Sequence, residues 1–186
     1  MRLILASASP RRAELLESAG FTFEIMAADV DETPRKGEAP GLSTQRVARD
    51  KARQVRLSVE VAGAVVLAAD TEVVVEGRIL GKPSDSGHAG EMLRLLSGRD
   101  HDVLTAVVVS AGGLERIEVV TTRVHVVPLT AGEIDWYVAS GEPMGKAGAY
   151  AIQGLGARFI DRIEGSWSNV VGLPLDRVHR LLGEVE

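Results

Sequence analysis

Apolar positions along the chain follow two rhythms, and their succession sets out the elements. Leu3-Ile4-Leu5-Ala6 is a short apolar run that stops at the hydroxyl residues Ser7 and Ser9. Pro10 then opens a helical pattern through Ala13, Leu15 and Leu16, because proline suits a first helical position whose N–H has no intrahelical acceptor. The stretch reads as strand, tight turn and helix, closed at Gly20. Phe21 to Met26 alternates as a second strand, and a polar acidic loop runs from Asp29 through Pro34 to Gly41. Ser43 or Thr44 caps the next helix, whose apolar face is Val47, Ala48, Ala52, Val55 and Val59 at three- and four-residue spacing. Ala64 to Ala69 is continuously apolar, as in a strand covered on both faces, and ends in Asp70-Thr71. Val73-Val74-Val75 and Arg78-Ile79-Leu80 flank Glu76-Gly77, a two-residue hairpin turn. Outward pairing from it sets Val75 against Arg78, Val73 against Leu80 and Thr71 against Lys82.

In the second half, Ser84 caps a helix with Ala89, Met92, Leu93 and Leu96 inward, closed by Gly98. His101 to Ser110 and Leu114 to Val127 meet at Gly112-Gly113 as a long hairpin. Thr130-Ala131-Gly132-Glu133 is a capping box that starts a helix carrying Ile134, Trp136, Tyr137 and Val138 and ending at Gly141. A glycine-rich stretch, Gly145 to Gly156, follows without periodicity. Arg158 to Ile163 reads as a strand, and Pro174 starts a closing helix with Leu175, Val178, Leu181 and Leu182 inward.

Composition narrows the class. The 186 residues suit one domain, or one elongated domain with two lobes, and no repeat or linker divides them. With 45% hydrophobic and 25% charged residues the chain reads as an ordinary globular protein, and no apolar run is long enough for a bilayer. A strand begins at once with no signal-peptide pattern, so the expected location is the cytoplasm. The absence of cysteine excludes disulfides and thiolate metal sites. A net charge of −5 argues against a broad nucleic-acid-binding face, so any positive charge for a polyanion is local.

Several positions carry candidate chemistry. Arg11 and Arg12 fall in a first helical turn, where the macrodipole disfavours cations. They are either solvated surface residues or, with Ser7 and Ser9, part of a phosphate site. Lys51 lies on the buried stripe of its helix and either snorkels at the core edge or reaches an internal anion. Asp70 ends a buried strand, where α/β proteins place chemistry, and the hairpin register brings Lys82 toward it. Asp29, Asp31 and Glu32 are either a solvated loop or contributors to a metal site. Trp136 and Tyr137 either pack or form a base-stacking platform. His88 reads as a surface residue, and His101 and His125, without ligand spacing, as structural. The glycine-rich stretch has neither a Walker loop nor a dinucleotide fingerprint. Its Gln153 offers a donor and an acceptor on one planar amide, which matches the imide edge of uracil or thymine.

Taken together, Ser7-Ala8-Ser9-Pro10-Arg11-Arg12 with Glu14-Leu15-Leu16, Asp29 to Glu32, Lys51-Ala52, Ala69-Asp70-Thr71, Gly81-Lys82-Pro83, Lys146 to Tyr150 with Ile152-Gln153-Gly154, and Asn169 to Pro174 resemble, in family order, the Maf family of nucleoside triphosphate pyrophosphatases. The resemblance implies an α/β fold: a curved mixed β-sheet with flanking helices, in two lobes around a central cleft, similar to inosine triphosphate pyrophosphatases. It implies cleavage of the α–β phosphoanhydride to a monophosphate and pyrophosphate with a divalent cation, Mg²⁺ or Mn²⁺. The expected assignments are Asp70 as the catalytic residue that orients or deprotonates the attacking water, Asp70 and Glu32 as metal ligands, and Ser7, Ser9, Arg11, Arg12, Lys51 and Lys82 on the phosphates. Arg12, Thr71 and Gln153 are expected to select the substrate. Gln153 is similar to the dTTP/UTP branch, whereas the branch preferring 7-methyl-GTP carries Glu there. Gly145 departs from the dTTP/UTP pattern, which has Asp before Lys-Ala-Gly. The alternatives are a 7-methyl-GTP-type enzyme and a nucleotide-sensing regulator of septum formation. A homodimer is the expected assembly, with no nucleic-acid or membrane partner.

Overall fold

A computed structural model describes residues 2–58 and 63–185. Among these residues seven strands form one mixed sheet in the order β2-β1-β3-β5-β6-β7, with β4 paired to β3, and helices flank it. The strands are β1 (Arg2–Leu5), β2 (Glu24–Ile25), β3 (Ala64–Val75), β4 (Arg78–Leu80), β5 (Asp100–Ala111), β6 (Leu114–Val126) and β7 (Ile160–Glu164). The helices are α1 (Pro10–Ser18), α2 (Pro40–Ser58), α3 (Ser86–Leu96), α4 (Ala131–Ala139), α5 (Trp167–Val171) and α6 (Leu175–Gly183). The α/β class with a mixed sheet is thus as expected. The chain divides into two compact units, Met1–Asp70 with Thr105–Val120 and Gly172–Glu186, and Thr71–Leu104 with Thr121–Val171. No helix among the described residues is long and apolar enough to cross a membrane.

In the first unit β1 pairs in parallel with both β2 and β3. Parallel strands need covered faces, and α2 covers one of them: its Ala48, Ala52 and Val55 pack with Ile4, Ala6, Ala64, Val66, Ala68, Ala106 and Val108. Alternation turns Leu3, Leu5 and Leu67 to the opposite face, where they too are buried. Val59 lies outside the described residues. Helix α2 begins at Pro40, not at Ser43 or Thr44, because proline serves as its first residue and the carbonyl of Ala39 accepts the amides of Leu42 and Ser43. Thr44 sits inside the helix and donates to the Pro40 carbonyl at 2.7 Å. The second strand is shorter than its alternation suggests, only Glu24–Ile25 meeting β1.

The second unit has its own core, in which Val73, Val75 and Leu80 of the hairpin pack with Ala89, Met92, Leu93 and Leu96 of α3 and with Ile134 and Tyr137 of α4. The β3–β4 register matches expectation, Val75 facing Arg78 and Val73 facing Leu80. Its turn carries Glu76 at φ 51° and Gly77 at φ 75°, the pair of positive φ values a tight hairpin requires. Asp85, not Ser84, caps α3: its carboxylate accepts the His88 amide at 2.8 Å, while the Ser84 hydroxyl donates to Asp85 at 2.9 Å. The Thr130–Glu133 capping box forms as read. Residues 155–159 form a 3-10 turn, and β7 starts only at Ile160. Arg158 and Phe159, expected in that strand, belong to the turn, whose leading amides, of Leu155 and Gly156, go to the carboxylate of Glu142.

His101 is structural, as its spacing implied. Its Nε2 lies 2.7 Å from the Tyr150 hydroxyl, and both residues are buried. Burial lowers its pKa to about 4, against upward pulls from Asp102 and Asp100 and with His125 lowering it further. An unfolded histidine titrates near about 6.5. Below that pH the unfolded chain takes up a proton that the folded chain refuses, so stability falls as pH drops from about 6.5 towards about 4, by up to about 3 kcal/mol. His101→Gln keeps a partner for Tyr150 but cannot titrate. Urea unfolding midpoints should therefore fall less steeply across this window in the variant than in the wild type.

Candidate active site

The charged cluster of the first unit follows from two apolar stripes that each end in, or are interrupted by, a charge. Asp70 continues the β3 face that carries Ala64, Val66 and Ala68, and Lys51 lies on α2 between Ala48 and Ala52. Packing those stripes brings the two side chains together, and Lys51 Nζ donates to Asp70 Oδ1 at 2.7 Å. The same Nζ lies 2.6 Å from Glu32 Oε1. Lys51 thus reaches an internal anion and does not merely snorkel. Both it and Asp70 are buried, whereas the Glu32 carboxylate is half-exposed. Asp70 is not at a strand end, because β3 continues without a break to Val75.

The turn between β1 and α1 supplies the second part. Ser7 is buried, and its Oγ accepts from the Ser9 amide at 3.2 Å and from Arg12 Nη1 at 3.1 Å. Arg12 Nε also donates to the carbonyl of Gly172 at 2.8 Å. Of the two readings open to this arginine, solvated surface is excluded, since Arg12 is buried. Burial lowers its pKa, while Asp70 and Glu32 pull it up and the neighbouring Arg11 lowers it further. A hydroxyl has one donor and two lone pairs. With both lone pairs of Ser7 engaged, its hydrogen is the group's remaining means of recognition. Arg11 and Ser9 are half-buried at the same turn.

The remaining expected site residues belong to the second unit. Thr71 is half-buried, and Gln153 is exposed in the loop before the 155–159 turn. Lys82 is exposed, and β4 ends at Leu80, short of the expected Thr71–Lys82 pair. The carbonyl of Gly81 accepts the Gly148 amide at 3.1 Å, which draws the chain out of the ladder there. Tyr137 packs, being fully buried, whereas Trp136 is exposed, with its ring against Phe159 and the Arg158 guanidinium 4.6 Å over it. Asp31 is taken up in its own loop, accepting the Thr33 amide at 2.9 Å. The sequence pattern does not single out Glu72, a buried carboxylate two residues past Asp70, because its strand reads as uniformly apolar apart from the Asp-Thr-Glu step.

Among the described residues no three His, Cys, Asp or Glu side chains converge as a metal site. Two carboxylates, of Asp70 and Glu32, do converge on one point, the Lys51 ammonium. That donor set fits a hard cation of the Mg²⁺ type, which is commonly held by one or two carboxylates and draws its other ligands from phosphate oxygens and water.

Residues 2–185 match the family described as Maf-like protein. A dTTP/UTP pyrophosphatase of Anaeromyxobacter dehalogenans is 54% identical over 97% of this chain and 92% of its own. One of Shewanella oneidensis is 50% identical over 99% of this chain and 98% of its own. Among solved structures, the Ham1 protein of Staphylococcus aureus shares the fold, with a TM-score of 0.53 at 12% identity over 100% of both chains. With nearly its whole length matched and half its residues identical to those relatives, the chain belongs to the Maf-like protein family.

Proposed function

We infer that this chain is a dTTP/UTP pyrophosphatase, which hydrolyses the α–β phosphoanhydride of those triphosphates to the nucleoside monophosphate and pyrophosphate. The relatives' activity supplies the substrate. The observation that carries the chemistry is the buried Lys51 ammonium held between Asp70 and Glu32. Such a cluster supplies a carboxylate base and a cation in one place, the two needs of an anhydride hydrolysis whose leaving group gathers negative charge.

In this reading Asp70 orients the attacking water and takes its proton as the oxygen bonds to phosphorus and the anhydride P–O bond breaks. Lys51 keeps the Asp70 carboxylate in place through Oδ1. Arg11 and Arg12, with the Ser7 and Ser9 hydroxyls and Lys82, hold the phosphates and stabilise the charge that moves onto pyrophosphate. Asp70 and Glu32 would hold a Mg²⁺ or Mn²⁺ ion, which would supply further charge neutralisation. Thr71, Arg12 and Gln153 select the base. Cytoplasmic location and a homodimer complete the reading.

Pyrophosphate release from a panel of NTPs, dNTPs and 7-methyl-GTP, with Mg²⁺ or Mn²⁺ at catalytic protein concentrations, tests it. The expected order puts dTTP and UTP first. Binding without release points to a nucleotide sensor, and 7-methyl-GTP at the head of the panel points to the other branch. Gln153→Glu replaces the amide donor with a second acceptor. It is expected to cut dTTP turnover efficiency about tenfold or more, because an imide N–H and carbonyl then face two acceptors. An unchanged substrate profile would remove Gln153 from base selection.

A further inference from the structure

Gln153 is exposed, yet a side chain that distinguishes bases must be held within about 0.5 Å of its working position. The second unit contains a polar node that does this for the backbone. Tyr137, fully buried on α4, accepts the amide of Ala151 at 3.1 Å and donates its own proton to Glu142 Oε1 at 2.8 Å. Glu142 Oε1 also accepts the Gly156 amide at 3.0 Å, and Oε2 accepts the Leu155 amide at 2.9 Å. Ala151 stands two residues before Gln153 and Leu155 two after it, so one hydroxyl and one carboxylate fasten both ends of a three-residue tip, Ile152-Gln153-Gly154.

Sequence makes room for the node. A Cβ on Gly154 would lie 2.3 Å from Glu142 Oε2, and one on Gly156 would lie 2.6 Å from the Tyr137 hydroxyl. Both glycines are therefore needed for the carboxylate and the phenol to sit beneath the loop. Burial pushes the Glu142 carboxyl upward, but the Gly156 and Leu155 amides, the Tyr137 hydroxyl and the Lys146 charge together hold it below its ordinary value. The carboxylate form is thus the one that the loop is built around.

We propose that Glu142, acting with the Tyr137 hydroxyl, is a positioning residue for base selection: it fixes the backbone on both sides of Gln153 and thereby sets where that amide meets the base. The proposal rests on the base-reading role of Gln153 given above. Glu142 touches no reacting atom in this scheme. Its loss changes substrate preference and KM before it changes the chemical step.

The test uses Glu142→Gln and Tyr137→Phe in the full chain, with kcat and KM for dTTP and dGTP and amide hydrogen exchange over residues 151–157. Glu142→Gln preserves shape and one acceptor oxygen but turns an N–H donor against the Leu155 amide. Tyr137→Phe removes only the hydroxyl, and stands in if the first variant does not fold. The expected result is a rise of about tenfold in KM for dTTP, a matching loss of preference for dTTP over dGTP, kcat within about twofold, and faster exchange at Leu155 and Gly156. Faster exchange with the wild-type preference retained overturns the proposal, as does an equal fall in kcat for both nucleotides. A wild-type protein with no preference for dTTP over dGTP removes the role of Gln153 itself, and the proposal with it. A wild-type preference that both variants keep removes only the role of Glu142.

Discussion

Asp70→Asn is expected to lower pyrophosphate release by about a hundredfold or more while nucleotide still binds. The substitution preserves shape, and an amide oxygen can still accept the proton that Lys51 Nζ donates across 2.7 Å. It removes the basic oxygen that takes the proton of water in the proposed mechanism. Lys51 keeps its second carboxylate, Glu32, at 2.6 Å, so the cluster is not left with an unpaired buried cation. Equilibrium binding of a non-hydrolysable dTTP analogue, measured beside pyrophosphate release, separates the two effects. Turnover within tenfold of the wild type would take Asp70 out of the mechanism.

The second large effect is expected at Lys51, whose loss acts on both stability and rate. Lys51→Met fits the apolar stripe of Ala48, Ala52 and Val55 but leaves Asp70 buried without its ammonium. Removing one member of a buried ion pair commonly costs about 3–5 kcal/mol, because the remaining charge stays desolvated. Here the Glu32 carboxylate adds a like charge and only the nearby Arg12 guanidinium offsets it, and we expect a loss of about 3 kcal/mol with turnover reduced about a hundredfold. Adding Asp70→Asn to Lys51→Met removes the orphaned charge. The double variant should regain most of the stability and none of the turnover. Denaturant unfolding of the four proteins in this cycle provides the measurement. A double variant no more stable than Lys51→Met alone would show that the pair is not the source of the cost.

Much of the fold is legible in the chain because local signals and burial agree. Pro10, the Glu76-Gly77 turn, the Gly112-Gly113 turn and the Thr130–Glu133 box each carry their own geometry, and each stands where its residues put it. The differences fall where a group some distance along the chain, side chain or backbone, takes a backbone partner. Arg158 and Phe159 leave the expected strand as the end of a 3-10 turn whose first two amides Glu142 claims, and the β4 ladder stops at Leu80 as Gly81 turns to Gly148. Asp85 displaces Ser84 as a cap by a single position, within the reach of either side chain. The site shows the same division. Lys51 was readable from helical phase, since a lysine at the centre of an apolar stripe has few destinations. Glu142 was not, because nothing in Gly141-Glu142-Pro143 marks its carboxylate as the anchor of a loop more than ten residues further on.

The bond from Arg12 Nε to the carbonyl of Gly172 spans most of the chain. On the ribosome β1 and α1 are made well before Gly172, so this arginine meets its acceptor only when residue 172 has been made. The first unit includes Gly172–Glu186 and is the later of the two to be completed, whereas the second closes with Val171. A nascent chain therefore carries the β1–α1 turn without this acceptor until 160 further residues have been added. The place of the Arg12 guanidinium is therefore set by a tertiary contact and not by the local turn that carries it.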